Sequence, residues 1–230
     1  MNVIGIDAAK AGWVVVRYEN GRYTGSVEPT LVQVPTADRI WIDMPIGLME
    51  GRRETDQLLR QELRPGRTSS VFNAPFLSAL TASTYMEAND LAKQHAGIGL
   101  SKQAWYLLPK IREVRNVYRS EMIEAHPEVC FARLAGHPAH FSKKTTEGIA
   151  ERIALLKRFD CPPLWEQRQS HVAIDDWLDA CLLATGARFP CDYLPASQPM
   201  DPEGYPLYAA APKNHPHRNG VGDPLTKSQM

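Results

Sequence analysis

The chain has few cysteines and no long hydrophobic run, and both shortages restrict what kind of protein it is. Only 4 of its 230 residues are cysteine, and none of them forms a Cys-x-x-Cys pair. Sparse cysteines of this kind are typical of free thiols in a reducing compartment. No stretch reaches the roughly 18 apolar residues that cross a bilayer, and residues 1–7 do not resemble a signal peptide. We therefore expect a cytoplasmic protein outside any membrane.

The chain also lacks an excess of charge of either sign. Lysine and arginine together number 26, and aspartate and glutamate together also number 26. Proteins that bind nucleic acid usually carry a basic excess or a basic stripe, so any such surface here must be local. The remaining composition, 43% hydrophobic and 23% charged, is that of an ordinary globular protein. At this length we expect one large domain with a sizeable core.

Several common functional motifs are missing or incomplete. There is no Gly-x-Ser-x-Gly elbow of an α/β-hydrolase. Residues 222–228 resemble a phosphate-binding loop, but they lack the glycine before the lysine and follow no predicted strand. His137-x-x-His140 and His215-x-His217 have no cysteine or third ligand at zinc-site spacing. We interpret these histidines as loop and tail residues.

β-branched and aromatic runs predict a mixed sheet of five strands. The predicted strands are residues 3–7, 13–18, 23–27, 39–43 and 122–126. Glu19-Asn20-Gly21 is a hairpin signal between the second and third strands. Three strands in a meander, followed by two separate strands, indicate an α/β fold in which parallel and antiparallel pairs occur together.

Helical periodicity predicts a helical insertion after the fourth strand, over about residues 50–120, and two later helices. The predicted helices are residues 51–63, 81–96, 102–118, 145–159 and 171–188. Ser101 is a plausible N-cap for the third of them. We expect one domain over residues 1–211. Residues 212–230 lack hydrophobic periodicity and are predicted to form a flexible tail.

Acidic residues stand at two predicted strand ends and on the last predicted helix. Asp7 ends the first strand and Asp43 ends the fourth, while Asp176 and Asp179 are three residues apart and share a helix face. If the two strands are neighbours and the helix packs on them, all four carboxylates converge. The alternative is that each acid has a separate structural role.

Converging carboxylates repel one another, and a divalent cation relieves that repulsion. Mg²⁺ and Mn²⁺ fit such a site because hard cations prefer oxygen ligands. Two ions about 4 Å apart would activate a water and stabilise the leaving oxygen of a phosphodiester. The four acids therefore predict a divalent-metal-dependent nuclease.

Further residues could assist that chemistry. Glu124 and His126 share a face of the fifth strand, where Glu124 could be a metal ligand or general base and His126 could protonate a leaving group. The alternative is that His126 is a hydrogen-bonded strand residue and that Glu128 caps or pairs locally. Arg67, Lys143 and Arg152 lie in basic segments that could bind substrate phosphates, although such segments are more often solvated faces.

Four motifs together resemble those of a known protein family. They are Gly-Ile-Asp-Ala-Ala-Lys-Ala-Gly-Trp at 5–13, Ile-Asp-Met-Pro-Ile-Gly-Leu at 42–48, Glu-Ala-His-Pro-Glu at 124–128 and Asp-Asp-Trp-Leu-Asp-Ala at 175–180. The family is domain-of-unknown-function family 429, a group of uncharacterised proteins described as predicted RNase H-like nucleases. The resemblance extends over nearly the whole chain up to about residue 210.

The resemblance implies an RNase H-like fold of the integrase and junction-resolvase type. It implies that the first-strand acid, the fourth-strand acid and the last-helix acids bind metal ions, and the matching positions are Asp7, Asp43, Asp176 and Asp179. Arg115 departs from the pattern, because similar proteins are expected to have an acid there.

Other functional classes stay open. A phosphotransferase of the actin-like superfamily also ends its first strand in aspartate, but it requires glycine and a hydroxyl where this chain has Ala8 and Ala9. A non-catalytic module that binds nucleic acid or protein on the same scaffold is the other alternative, and the retained acids argue against it. The sequence leaves the substrate open among DNA, RNA and a small phosphodiester, and it leaves the oligomeric state open.

Overall fold

The computed structural model describes residues 1–214, and it places the strands of this part of the chain in one mixed sheet. The strands are β1 (Asn2–Ala9), β2 (Gly12–Glu19), β3 (Arg22–Glu28), β4 (Arg39–Ile42), β5 (Met122–Ala125), β6 (Cys191–Leu194) and β7 (Ala209–Pro212). They lie in the order β3-β2-β1-β4-β5-β7-β6. The predicted α/β class and mixed sheet are confirmed.

The first three strands form an antiparallel meander, and on the other side β4, β5 and β7 are parallel to β1 while the edge strand β6 is antiparallel to β7. β1 pairs antiparallel with β2 and parallel with β4, and β4 pairs parallel with β5. Asn20 and Gly21 between β2 and β3 have φ values of 51° and 83°, as a two-residue hairpin turn requires. The predicted hairpin signal therefore has its expected geometry.

The prediction of five strands is wrong, because the described residues contain seven. β6 and β7 have four residues each, and β7 reads Ala-Ala-Ala-Pro. Alanine and proline are depleted in strands, so no local signal marks this segment. Pro212, the first residue of the predicted tail, is the last residue of β7. Residues 215–230 of that tail lie outside the described part of the chain.

Helices cover both faces of the sheet. They are α1 (Glu54–Glu62), α2 (Tyr85–Ala96), α3 (Lys102–Asn116), α4 (Pro127–Ala135), α5 (Thr146–Arg158) and α6 (Ile174–Ala187). Ser101 caps α3, since its Oγ accepts a hydrogen bond of 3.1 Å from the amide of Ala104. α4 was not predicted, because Pro127 was interpreted as a strand end, yet proline is well suited to the first turn of a helix. In residues 1–214, no helix combines the length and apolar character that a membrane span needs.

The two faces of the sheet follow from the alternation of side chains along β1. Ile4 and Ile6 point to the face that α3 covers, where they join a core with Ile111 and Val114. Val3 points to the opposite face and joins the core that α4, α5 and α6 build. Of the helices predicted as an insertion, α3 therefore covers one face and α2 packs on α3, while the last helix covers the other face.

Candidate metal centre

The parallel register of β1 and β4 brings two of the predicted acids together. Ile6 pairs with Ile42, so Asp7 and Asp43 are the next residues on each strand. The amide of Asp43 donates a hydrogen bond of 3.0 Å to the carbonyl of Ile6, which continues the ladder for one residue beyond β4. By alternation, both aspartates point to the face covered by α6.

α6 supplies the third acid because it approaches β1 very closely. A Cβ on Gly5 would lie 2.2 Å from the amide nitrogen of Ala184 and 2.3 Å from the carbonyl oxygen of Ala180, so only glycine fits there. This contact places Asp179 against the end of β1. Ligand oxygens of Asp7, Asp43 and Asp179 all lie within 4.8 Å of one another. We call these three residues the acidic triad.

The triad is held in an environment that opposes full ionisation. Burial raises the pKa of Asp7 well above its ordinary value, and the charges of Asp179 and Asp43 raise it further. Burial also raises the pKa of Asp43, and it raises that of Asp179 to about 6. Carboxylates that are buried together retain protons unless a positive charge joins them.

Lys143 supplies one positive charge from the loop between α4 and α5. Its Nζ donates a hydrogen bond to Oδ2 of Asp179. Burial lowers the pKa of Lys143, but the charges of Asp179, Asp7 and Asp43 outweigh that effect and raise it above its usual range. Lys143 is therefore held as a cation beside the triad.

Lys143 does not complete the hydrogen bonding of the triad. Among the residues the structure describes, Oδ1 of Asp179 is buried and has no hydrogen-bond partner. An orphaned carboxylate oxygen beside two further carboxylates forms an all-oxygen donor set that suits Mg²⁺ or Mn²⁺. Asp7, Asp43 and Asp179 are therefore the residues that could hold a cation.

The fourth predicted ligand, Asp176, lies at the rim of this group. It is half-buried, one turn before Asp179 on α6, and its charge contributes to the raised pKa of Asp7. It is not part of the group whose ligand oxygens lie within 4.8 Å. Its neighbour Asp175 is buried and bonded to Lys144.

Glu124 lies on the other face of the sheet, away from the triad. It pairs with Ile42 in the parallel register, so its side chain shares the face of Ile42 rather than that of Asp43. There Arg53 donates hydrogen bonds of 2.8 and 2.7 Å to its two carboxylate oxygens. Arg53 also donates to Asp56 at 3.0 Å, which completes a buried Arg53 cluster of Arg53, Asp56 and Glu124. Strand alternation thus separates Glu124 from the ligand set predicted for it.

His126 lies beyond the end of β5 and near Asp43. Burial raises the pKa of Asp43, and His126 is the first of the nearby groups whose charge lowers it. The Nε2 atom of His126 is 3.2 Å from the carbonyl oxygen of Ser70, whereas Nδ1 is buried without a hydrogen-bond partner in the described residues. His126 is therefore placed where a proton donor or acceptor beside the triad would be.

Two predicted substrate-binding arginines instead contact Glu128, at the start of α4. Arg152 is fully buried and donates a hydrogen bond to Glu128, so it holds Glu128 in place and is not exposed to a substrate. Arg67 is partly exposed, and its Nη2 lies 3.6 Å from Oε2 of Glu128.

Glu128 was interpreted from the sequence as a local capping or pairing residue and was given no part in the site, although its charge helps to raise the pKa of Asp43 and Asp179. Its position directly after Pro127, where β5 gives way to a helix, is the signal that could have identified it.

The fold and the site define an α/β protein with an acidic triad at the carboxyl ends of two neighbouring parallel strands, in which Asp7 and Asp179 are buried and Asp43 is half-buried. The family model described as "Protein of unknown function (DUF429)" matches residues 5–203. The chain belongs to this family, because the match covers most of its length and includes all three residues of the triad. Comparisons with curated proteins and with solved structures gave no match.

Proposed function

We propose that this protein is a divalent-cation-dependent nuclease or phosphodiesterase with an RNase H-like fold. The observation that carries the proposal is the convergence of Asp7, Asp43 and Asp179, whose ligand oxygens lie within 4.8 Å of one another. Acids at the first strand, the fourth strand and the last helix are the pattern that the family resemblance implies for metal binding.

The topology supports the RNase H-like part of the proposal. An antiparallel meander of β1, β2 and β3 is followed by β4 and β5, which extend the sheet in parallel on the other side of β1. This order places β1 in the interior of the sheet, between β2 and β4. Asp7 therefore lies in the middle of the sheet, where acids from both β4 and α6 can reach it.

The three carboxylates of the triad would hold one cation, and a second would draw on Asp176 at the rim. A divalent cation, when bound, would polarise a phosphodiester oxygen and lower the pKa of water. Asp7 and Asp179 contribute by being buried, because burial keeps water away from their carboxylates and strengthens their pull on positive charge.

The remaining residues of the site have separate proposed tasks. Lys143 compensates the charge of Asp179 through its Nζ, and with a cation held by the triad this Nζ would be available to bind a phosphate oxygen. His126, with a buried ring nitrogen that has no partner among the described residues, would donate a proton to the leaving oxygen. Arg67, which is partly exposed, would contact a phosphate farther out.

A second candidate function is a non-catalytic module that binds nucleic acid or protein. The ion pairs of Lys143 with Asp179 and of Lys144 with Asp175 favour it, because they supply positive charge at the site without a cation. In that case Lys143 would permanently supply the positive charge beside the triad, and the triad would be a structural feature of the scaffold.

Calorimetric titration with Mn²⁺ separates the two candidates. Wild type is compared with Asp7→Asn and with Asp90→Asn, a matched control whose carboxylate is exposed on α2. Under the nuclease proposal, wild type and Asp90→Asn bind Mn²⁺ and Asp7→Asn does not. No binding to wild type at millimolar Mn²⁺ would favour the module.

A cleavage screen with Mn²⁺ follows, over single-stranded, duplex and branched DNA and RNA and a small phosphodiester. We expect cleavage by wild type and Asp90→Asn, and none by Asp7→Asn. Cleavage that persists in Asp7→Asn would come from a contaminant or another site, and it would overturn the assignment of the triad.

A further inference from the structure

A second group of potential metal ligands lies on the loop between α4 and α5, away from the acidic triad. His137 and His140 are exposed on this loop, and Glu151 is half-buried on α5. One ligand atom from each of the three residues lies within 4.8 Å of the other two. The sequence showed the two histidines without a third ligand, because Glu151 follows His140 by 11 residues and lies on a helix.

The carboxylate of Glu151 is already fixed by the loop. The amide of His140 donates to its two oxygens at 2.9 and 3.1 Å, and the amide of Phe141 donates at 3.2 Å. The Nδ1 atom of His140 lies 2.8 Å from Oε1 of Glu151. Ligating carboxylates are commonly held by such additional hydrogen bonds, which orient them before an ion arrives.

The histidine rings are also arranged for a shared ligand. Their centroids are 4.7 Å apart. The Nδ1 atom of His137 lies 3.0 Å from the carbonyl oxygen of Pro138. When Nδ1 carries the proton and donates it to this oxygen, Nε2 is unprotonated and can bind a metal ion. Since both rings are exposed, an ion can reach them from solvent.

We propose that His137, His140 and Glu151 form a transition-metal site that is selective for Zn²⁺ or Co²⁺. Each histidine contributes one ring nitrogen and Glu151 one carboxylate oxygen. Imidazole suits these metals, whereas the all-oxygen triad suits Mg²⁺ or Mn²⁺. Three protein ligands leave the fourth position of a tetrahedral ion open. The proposal does not depend on the nuclease function, because none of its ligands belongs to the triad.

The site would connect the loop to α5. Lys143 lies on the same loop, three residues after His140, and bonds to Asp179 of the triad. An ion bound by two loop residues and one helix residue would therefore restrain the segment that carries Lys143. Binding to the folded protein alone would also stabilise it against heat.

The test is a calorimetric titration of the full chain with Zn²⁺ in millimolar Mg²⁺, together with Co²⁺ absorption spectra. We compare wild type, His137→Ala/His140→Ala and Glu151→Gln, with circular dichroism to confirm folding. His95→Ala, at an exposed histidine of α2, and His215→Ala/His217→Ala are the matched controls. Asp7→Asn reports on the triad.

We expect one equivalent of Zn²⁺ in wild type, the intense Co²⁺ bands of a four-coordinate ion, and affinity lower by roughly tenfold or more in the double and Glu151→Gln variants. Both control variants and Asp7→Asn should retain full binding. The proposal is overturned if wild type and His137→Ala/His140→Ala bind Zn²⁺ equally. It is also overturned if binding is lost in Asp7→Asn or in His215→Ala/His217→Ala, because the ion would then lie at the triad or on residues 215–217.

Discussion

Two groups of buried acids lie on opposite faces of the same sheet, and their charges are balanced in different ways. In the Arg53 cluster, every carboxylate oxygen of Glu124 and Asp56 accepts a hydrogen bond, from Arg53 or from the amides of Ile46 and Ala74. In the acidic triad, Asp7, Asp43 and Asp179 share Lys143, and Oδ1 of Asp179 has no partner among the described residues.

The difference separates a structural cluster from a candidate binding site. A buried ion pair whose hydrogen bonds are complete has little capacity left for a ligand. Buried carboxylates that exceed their counter-charge destabilise the fold unless a cation joins them, and such imbalance is typical of functional sites. The following variants test whether the two groups differ in this way.

The largest effect should come from removing the cation of the Arg53 cluster. Arg53→Met leaves Glu124 and Asp56 buried without their partner, which should cost about 3–5 kcal/mol of unfolding free energy. Urea unfolding followed by circular dichroism measures this cost. Arg52→Met, at the exposed neighbouring position, is the control and should change stability by less than about 0.5 kcal/mol. Equal stability of the two variants would contradict a structural role for the cluster.

The second largest effect on stability should come from Gly5→Ala, at the close contact between β1 and α6. Gly5→Ala forces a methyl group against backbone atoms of Ala180 and Ala184 on α6. We expect a loss of about 1–3 kcal/mol in unfolding free energy, together with weaker Mn²⁺ binding, because α6 must move away from β1. In the control Gly99→Ala, the nearest atoms to the added methyl belong to the side chains of Asn89 and Lys93 rather than to backbone. Unchanged Mn²⁺ affinity in Gly5→Ala would show that this contact does not position Asp179.

Cation binding should depend on pH. Because the pKa of Asp179 is raised to about 6, a cation must displace a proton from it below that pH. Mn²⁺ affinity, measured by calorimetry, should therefore rise from pH 5 to pH 7, by up to about tenfold per pH unit for each proton released.

The raised pKa of Asp179 also affects the stability of the cation-free protein, which should decrease rather than increase with pH. Between pH 3.8, the ordinary pKa of Asp179, and about pH 6, the folded state binds more protons than the unfolded state. The contribution of Asp179 to stability therefore falls as pH rises through this window. A Mn²⁺ affinity that stays constant from pH 5 to pH 7 would argue against a proton-retaining triad.

The smallest effect is a gain in stability. Asp7→Asn removes one of the mutually repelling charges, so at pH 7 it should stabilise the cation-free protein by on the order of 1 kcal/mol, or about 2–4 °C in Tm. It should also abolish the rise in Tm that Mn²⁺ causes in wild type. Thermal unfolding with and without Mn²⁺ measures both, with Asp90→Asn as control. A variant that is destabilised, or that Mn²⁺ still stabilises, would contradict the comparison.

The sequence predicted the parts of this site that depend on local patterns. The predicted strands 3–7 and 39–43 are strongly apolar and end at acids, so Asp7 and Asp43 could be placed at this edge from the sequence, although β1 in fact continues to Ala9. Asp179 could be placed on a helix for the same reason. That the two strands are neighbours was the condition attached to that prediction, and the structure meets it.

The parts that were missed depend on long-range pairing. β7 is three alanines and a proline, and only its neighbours β5 and β6 make it a strand. Glu124 was placed with the wrong group because its face depends on the register between β4 and β5. Glu151 was missed as a partner of His137 and His140 because it lies on α5, and the fold of the preceding loop, rather than a short sequence spacing, brings the three residues together.

The position of β7 in the sheet has a consequence for how the protein is made. Within residues 1–214, β6 pairs with the sheet only through β7, which lies between it and β5. β6 precedes β7 along the chain, so a nascent chain that has emerged only as far as residue 208 has no place to add β6. Synthesis must therefore pass residue 212 before this edge closes, and until then β5 exposes an unpaired edge that a chaperone or a second nascent chain could occupy.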